Sequence, residues 1–119
     1  MFLLVMLCFA SASAFAAEGN VCNAAAQLDA VRLLRSKIRA LGLYSEMNDQ
    51  CLIVRAEDCN SRNIDLVVQE NHTNDCGGDP ATAPVLDRFR VLRRSKKVEW
   101  YSADGEYVGI SKARAIDHR

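Results

Sequence analysis

The sequence predicts an α+β domain in which one N-terminal amphipathic helix packs on a four- to five-stranded antiparallel sheet, stabilised by disulfides. Three observations carry that expectation. One segment, from about Ala24 to Leu41, repeats apolar residues at helical spacings of three and four. Beyond it the period shortens to alternating runs separated by turn formers, the pattern of strands. Four cysteines, Cys22, Cys51, Cys59 and Cys76, follow an N-terminal apolar run, and an even set behind such a run reads as two disulfides in an oxidising compartment. A helix with one apolar stripe, followed by antiparallel strands, buries both apolar surfaces as a two-layer sandwich.

Residues 1–17 hold no charged side chain, and Phe2 to Ala10 form the apolar stretch, which contains the fifth cysteine, Cys8. Ala14-Phe15-Ala16 suits signal peptidase, so residues 1–16 are expected to be a signal peptide cleaved before Ala17. The stretch is about half the roughly 20 residues that span a bilayer, so no membrane span is expected in the mature form. Residues 17–110 then form a single domain, and 111–119 a flexible tail.

Asn23 is placed as the N-cap of the helix and Gly42 as its left-handed C-terminal stop. The expected apolar stripe is Leu28, Val31, Leu34, Ile38 and Leu41. Leu52 to Val54 read as a short strand, and Glu57 to Asn63 as a turn. Ile64, Leu66 and Val68 alternate with Asp65, Val67 and Gln69 in a half-buried second strand. His72 to Pro84 form a long loop punctuated by Gly77-Gly78, Asp79-Pro80 and Pro84. Phe89 and Val91 mark a third strand, and Val98 to Tyr101 a fourth, in which Trp100 should be buried. Asp104-Gly105 is placed as a two-residue hairpin turn leading into a fifth strand, Glu106 to Ile110.

Fifteen basic residues balance fifteen acidic ones, which argues against a nucleic-acid binder. The charge is uneven. Arg88, Arg90, Arg93, Arg94, Lys96 and Lys97 fall within ten residues. A solvated strand face and turn is the plainer reading, and a patch for an anionic partner is the sharper one. No Cys-x-x-Cys pair is present and the only histidines are His72 and His118, so neither a metal nor a cofactor is expected. Asn71-His72-Thr73 matches a glycosylation acceptor, relevant only in a eukaryotic secretory pathway.

The stretch from Val68 to Val91 is more specific. It contains Glu70-x-His72, then Cys76-Gly-Gly-Asp-Pro80, Thr82, Pro84 and the strand Phe89-Arg-Val91. In these residues the chain resembles a group of small exported bacterial proteins, most of them without an assigned activity. The helix and Cys51 share the likeness, whereas Cys22 and Cys59 fall outside it. The resemblance implies fold and compartment, and no activity.

The candidate site is read from the residues themselves. Glu70 and His72 lie two apart, so on a strand they share a face. Gly77 and Gly78 allow positive φ or close backbone approach, and Asp79 before Pro80 can cap nearby amides. Satisfying the loop's own amides is the leading role for Glu70 and His72; ligand binding comes next, and catalysis or metal binding last. The candidate binding residues are therefore Glu70, His72, Gly77, Gly78, Asp79, Arg88 and Arg90, the arginines expected to join the loop in one surface. Four cysteines allow three pairings. A hairpin turning near Cys59 sets Cys51 opposite about Val68, near the strand into the Cys76 loop. That favours Cys51–Cys76, and by elimination Cys22–Cys59 ties the helix start to the hairpin turn. The expected function is a small exported, periplasmic or secreted, binding or inhibitor-like protein directed at another envelope or secreted protein. The alternatives are a small hydrolase-type enzyme using Glu70, His72 and Asp79 as acid–base groups, and a structural envelope protein without a ligand.

Overall fold

The computed structural model describes residues 22–113. The expected leader lies outside the described residues, as do 114–119 of the expected tail.

Helix α1 spans Ala24–Leu41. Its start is fixed by Asn23, whose side-chain carbonyl accepts the Ala26 N–H at 2.8 Å. Its end is fixed by Gly42 at φ 65°, whose N–H returns to the last turn. The buried stripe differs from the expected one. Ala30, Leu34 and Ile38 are buried, while Leu28 remains 48% exposed. Each step of three residues falls about 60° short of a full turn, so two such steps carry Leu28 about 120° from Leu34, whereas the steps of four that join Ala30, Leu34 and Ile38 drift by only about 40° each.

Five strands follow in an antiparallel meander, β1 (Leu52–Cys59), β2 (Asn63–Glu70), β3 (Val85–Leu92), β4 (Val98–Tyr101) and β5 (Tyr107–Gly109), in that spatial order. A single 3-10 turn, Asp49–Cys51, leads into β1. β1 is longer than its sequence suggests. Glu57 to Cys59 were expected in the turn, yet they extend the strand through a bulge between Ala56 and Asp58. The turn itself is held by the Asn60 side chain, which accepts the N–H groups of Arg62 and Asn63. The register is therefore three residues away from expectation: Val54, not Cys51, pairs with Val68.

The last hairpin also differs. Gly105 N–H donates to the Ser102 carbonyl and Ser102 N–H to Glu106, with Gly105 at φ 80°. This is a three-residue loop whose glycine takes the left-handed position, rather than a two-residue turn.

α1 packs chiefly on β1 and less on β2. One cluster joins Leu34 and Ile38 to Val54, Leu66, Val68, Phe89 and Trp100. Leu43, Ile110 and Ala113 belong to the same cluster, and Ala113 is fully buried. The packed domain thus continues past Ile110, where the tail was expected to begin. Val67 points to the other sheet face and is still fully buried. Its direct cross-strand neighbours are Arg55 and Arg88.

The disulfides are Cys22–Cys59 and Cys51–Cys76, with Cα separations of 5.8 and 5.5 Å. Among the described residues no helix is long and apolar enough to cross a membrane.

Candidate functional site

The loop between β2 and β3 is organised around His72. β2 carries Val68 on the helix side, and the same alternation puts Glu70 on that side, opposite Leu52. Glu70 and His72 meet as the spacing requires, with His72 Nε2 2.6 Å from Glu70 Oε2. The other ring nitrogen, Nδ1, lies 2.8 Å from the Asp79 carbonyl and 3.2 Å from Thr82 Oγ1. Both ring nitrogens face acceptors, so the doubly protonated ring satisfies both. The His72 pKa is accordingly raised above its ordinary 6.5, first by the Glu70 hydrogen bond and then by the Asp79 carbonyl, against the opposing effect of burial.

The remaining residues of the motif build the cradle. Gly78 sits at φ 85°, and a Cβ there would lie 2.7 Å from three atoms of the His72 ring. Glycine is needed both for the backbone angle and for contact with the imidazole. The Asp79 carboxylate accepts the Ala81 N–H, and the Asp79 carbonyl accepts Thr82 N–H and its hydroxyl. Cys76 and Gly77 donate to the Thr73 carbonyl. The loop is tied to the sheet by Glu70 N–H to Pro84, Asn71 N–H to Cys51, and the Gln69 side chain to Ala83. The Asn71 side-chain amide, the atom a glycan would modify, donates to Gln50. A cleft of about 230 Å³ opens between Met47, the Cys51–Cys76 bridge, His72 and Gly77. Residues 73–75 and 77–85 are exposed.

Arg88 and Arg90 belong elsewhere. They sit on the sheet face away from the helix, whereas Asp87 and Phe89, in alternation with them, face the core. Arg88 pairs with Glu57, and Arg90 with Asp65 at 2.7 Å. The Arg90 guanidinium also lies 3.9 Å from the ring centre of Tyr107, which packs on Tyr101. Burial raises the Tyr107 hydroxyl pKa above its ordinary 10.0. The structure brings Glu70, His72, Gly77, Gly78 and Asp79 together and leaves the two arginines in a separate, internally paired network.

Sequence reasoning missed a buried carboxylate. Asp87 is only 8% exposed and accepts the Tyr44 O–H at 2.6 Å and the Trp100 indole N–H at 3.1 Å. Its place in the alternation, in phase with Phe89 and Val91, was the available signal.

The chain matches no family model, no curated protein and no solved structure.

Proposed function

We propose that this is a small exported binding module, inhibitor-like in design, that presents the rim of the 71–84 loop to another envelope or secreted protein. The observation that carries the proposal is the use made of His72: both ring nitrogens are engaged in holding the loop's own backbone and side chains. A loop fixed by a half-buried imidazole, a disulfide and three ties to the sheet loses little conformational entropy on binding. Its exposed residues can therefore contribute affinity without first being ordered. The two disulfides favour an oxidising compartment, which supports export to the periplasm or beyond. The enzyme reading has weaker support, because a base at His72 would have to abandon the loop to accept a proton, and the Asp79 carboxylate is already engaged as a cap.

A photo-crosslinking residue placed at Asn74, on the exposed rim, tests this in envelope and secreted fractions. One partner captured in stoichiometric yield at Asn74, but not at Lys37 on the exposed face of the helix, is the expected result. Gly78→Ala should reduce the yield. Equal capture at both positions, or turnover of a substrate abolished by His72→Ala, would refute the binding reading.

A further inference from the structure

The basic run that begins at Arg88 divides in the folded protein. Arg88 and Arg90 are consumed by ion pairs on the sheet face. Arg94, Lys96 and Lys97 instead occupy the β3–β4 turn, where all three are exposed. The topology brings Arg62 to the same end, because the β1–β2 turn lies beside the β3–β4 turn. The two turns are bonded together: Arg93 N–H donates to the Arg62 carbonyl at 2.8 Å, and the Arg93 guanidinium to the Asn60 carbonyl at 3.0 Å.

Between them is an open hollow of about 660 Å³, lined by Ser61, Arg62, Asn63, Leu92, Arg94 and Ser95. Its chemistry is one-sided. Two guanidinium forks, two hydroxyls and one carboxamide surround a single leucine, and no lining residue is acidic. Ser95 Oγ already accepts the Lys97 N–H, which leaves its own hydrogen free to donate. Lys96 and Lys97 add cationic charge nearby.

The hollow is also built in advance. The Asn60 side chain fixes the first turn, the Cys22–Cys59 bridge anchors the strand entering it, and Leu92 and Lys97 close the second. We propose that this hollow is a binding site for a compact oxyanion, phosphate or sulfate, carried free or as an ester. Guanidinium forks match the oxygen pairs of such groups, and the fixed turns set the backbone positions from which the two forks reach. The site is independent of the 71–84 loop, which leaves the opposite end of the sheet.

The test uses the isotope-labelled full chain, titrated with inorganic phosphate and separately with inorganic sulfate at ionic strength held constant with chloride. Saturable shifts confined to the amides of Ser61, Arg62, Arg94 and Ser95 are expected, and the stronger of the two anions identifies the ester class. R62Q/R94Q should weaken binding at least tenfold, R62K/R94K by an intermediate factor because charge remains while the fork is lost, and K37Q not at all. Both arginines lie in exposed turns, and the lysine pair keeps the test open if the glutamine pair fails to fold. Shifts spread over every basic residue, or affinity unchanged in the variants, would overturn the proposal. So would binding to phosphatidylglycerol vesicles with no response to either free anion, which would indicate a flat charged surface in place of the hollow.

Discussion

Replacing Trp100 separates two contributions that the structure places on one side chain. The indole is 7% exposed and belongs to the central cluster, so Trp100→Ala should destabilise by roughly 3–5 kcal/mol through lost transfer energy and the cavity left behind. Trp100→Phe keeps much of the ring but removes the N–H that donates to Asp87 Oδ1. A hydrogen bond to a charged group contributes about 1.5–3 kcal/mol, so the phenylalanine variant should fall between wild type and alanine. Asp87→Asn should be milder than Trp100→Phe. The indole can only donate, so it keeps the amide oxygen, while the Tyr44 hydroxyl can rotate and accept from the amide nitrogen. Urea unfolding followed by far-ultraviolet circular dichroism suits the series, because fluorescence is lost with the only tryptophan. The order expected is wild type, Asp87→Asn, Trp100→Phe, Trp100→Ala, with the dependence on urea concentration unchanged. A midpoint for Trp100→Phe equal to wild type would show that the buried hydrogen bond adds nothing, and an unmoved Trp100→Ala would remove the indole from the core.

Gly78→Ala should displace the His72 ring, and faster amide exchange across residues 71–84 with the sheet unaffected would be its signature. The raised His72 pKa implies loop stabilisation that is complete below about pH 6.5 and lost as pH rises through the folded-state value; amide exchange against pH should show this in the wild type and stay flat in His72→Gln. Removing both Cys51 and Cys76 should cost about 3.5 kcal/mol by the chain-entropy treatment for a 25-residue separation, measurable by thermal unfolding. Arg90→Ala loses a partly exposed ion pair and a cation–ring contact, together about 1–2 kcal/mol, and a double-mutant cycle with Tyr107 isolates the second part. If the proposed export holds, intact mass should correspond to a chain beginning at Ala17, and a retained Cys8 would dismiss the leader.

What could be read from the sequence was local chemistry. Asn23, Gly42 and the Glu70-x-His72 spacing each act within a few residues, and each does in the structure what its type and position suggest. Errors arose where position depends on cumulative geometry. Leu28 is apolar and correctly spaced from Val31, yet the helical drift turns it outward. Glu57 to Cys59 are turn formers by composition, but the bulge and the Cys22–Cys59 bridge hold them in β1. The Gly78 requirement was legible as glycine, though not its cause, because the imidazole it meets is six residues away and reaches it only after the loop folds back. The Arg90–Asp65 pair is a direct cross-strand neighbour and follows from the β2–β3 register, which a long connecting loop does not fix in the way a tight turn does. Asp87, Tyr44 and Trp100 come from three separate segments, so no window of sequence contains their association.

The two disulfides interleave: the first closes 22 to 59, and the second begins at 51, inside that ring, and ends at 76 outside it. The helix, β1 and β2 are therefore welded into one continuous covalent framework, while β3, β4 and β5 are held to it only by hydrogen bonds and packing, apart from the single thread of chain that runs on from Cys76. A protease that nicks the exposed stretch near Ala81 would leave two pieces with no covalent bond between them, one cross-linked and one not. The intact molecule has the same division in its energetics. Unfolding with disulfides in place frees the C-terminal strands completely and the N-terminal part only partly, so sub-global opening should start from β5 and move inward toward β2.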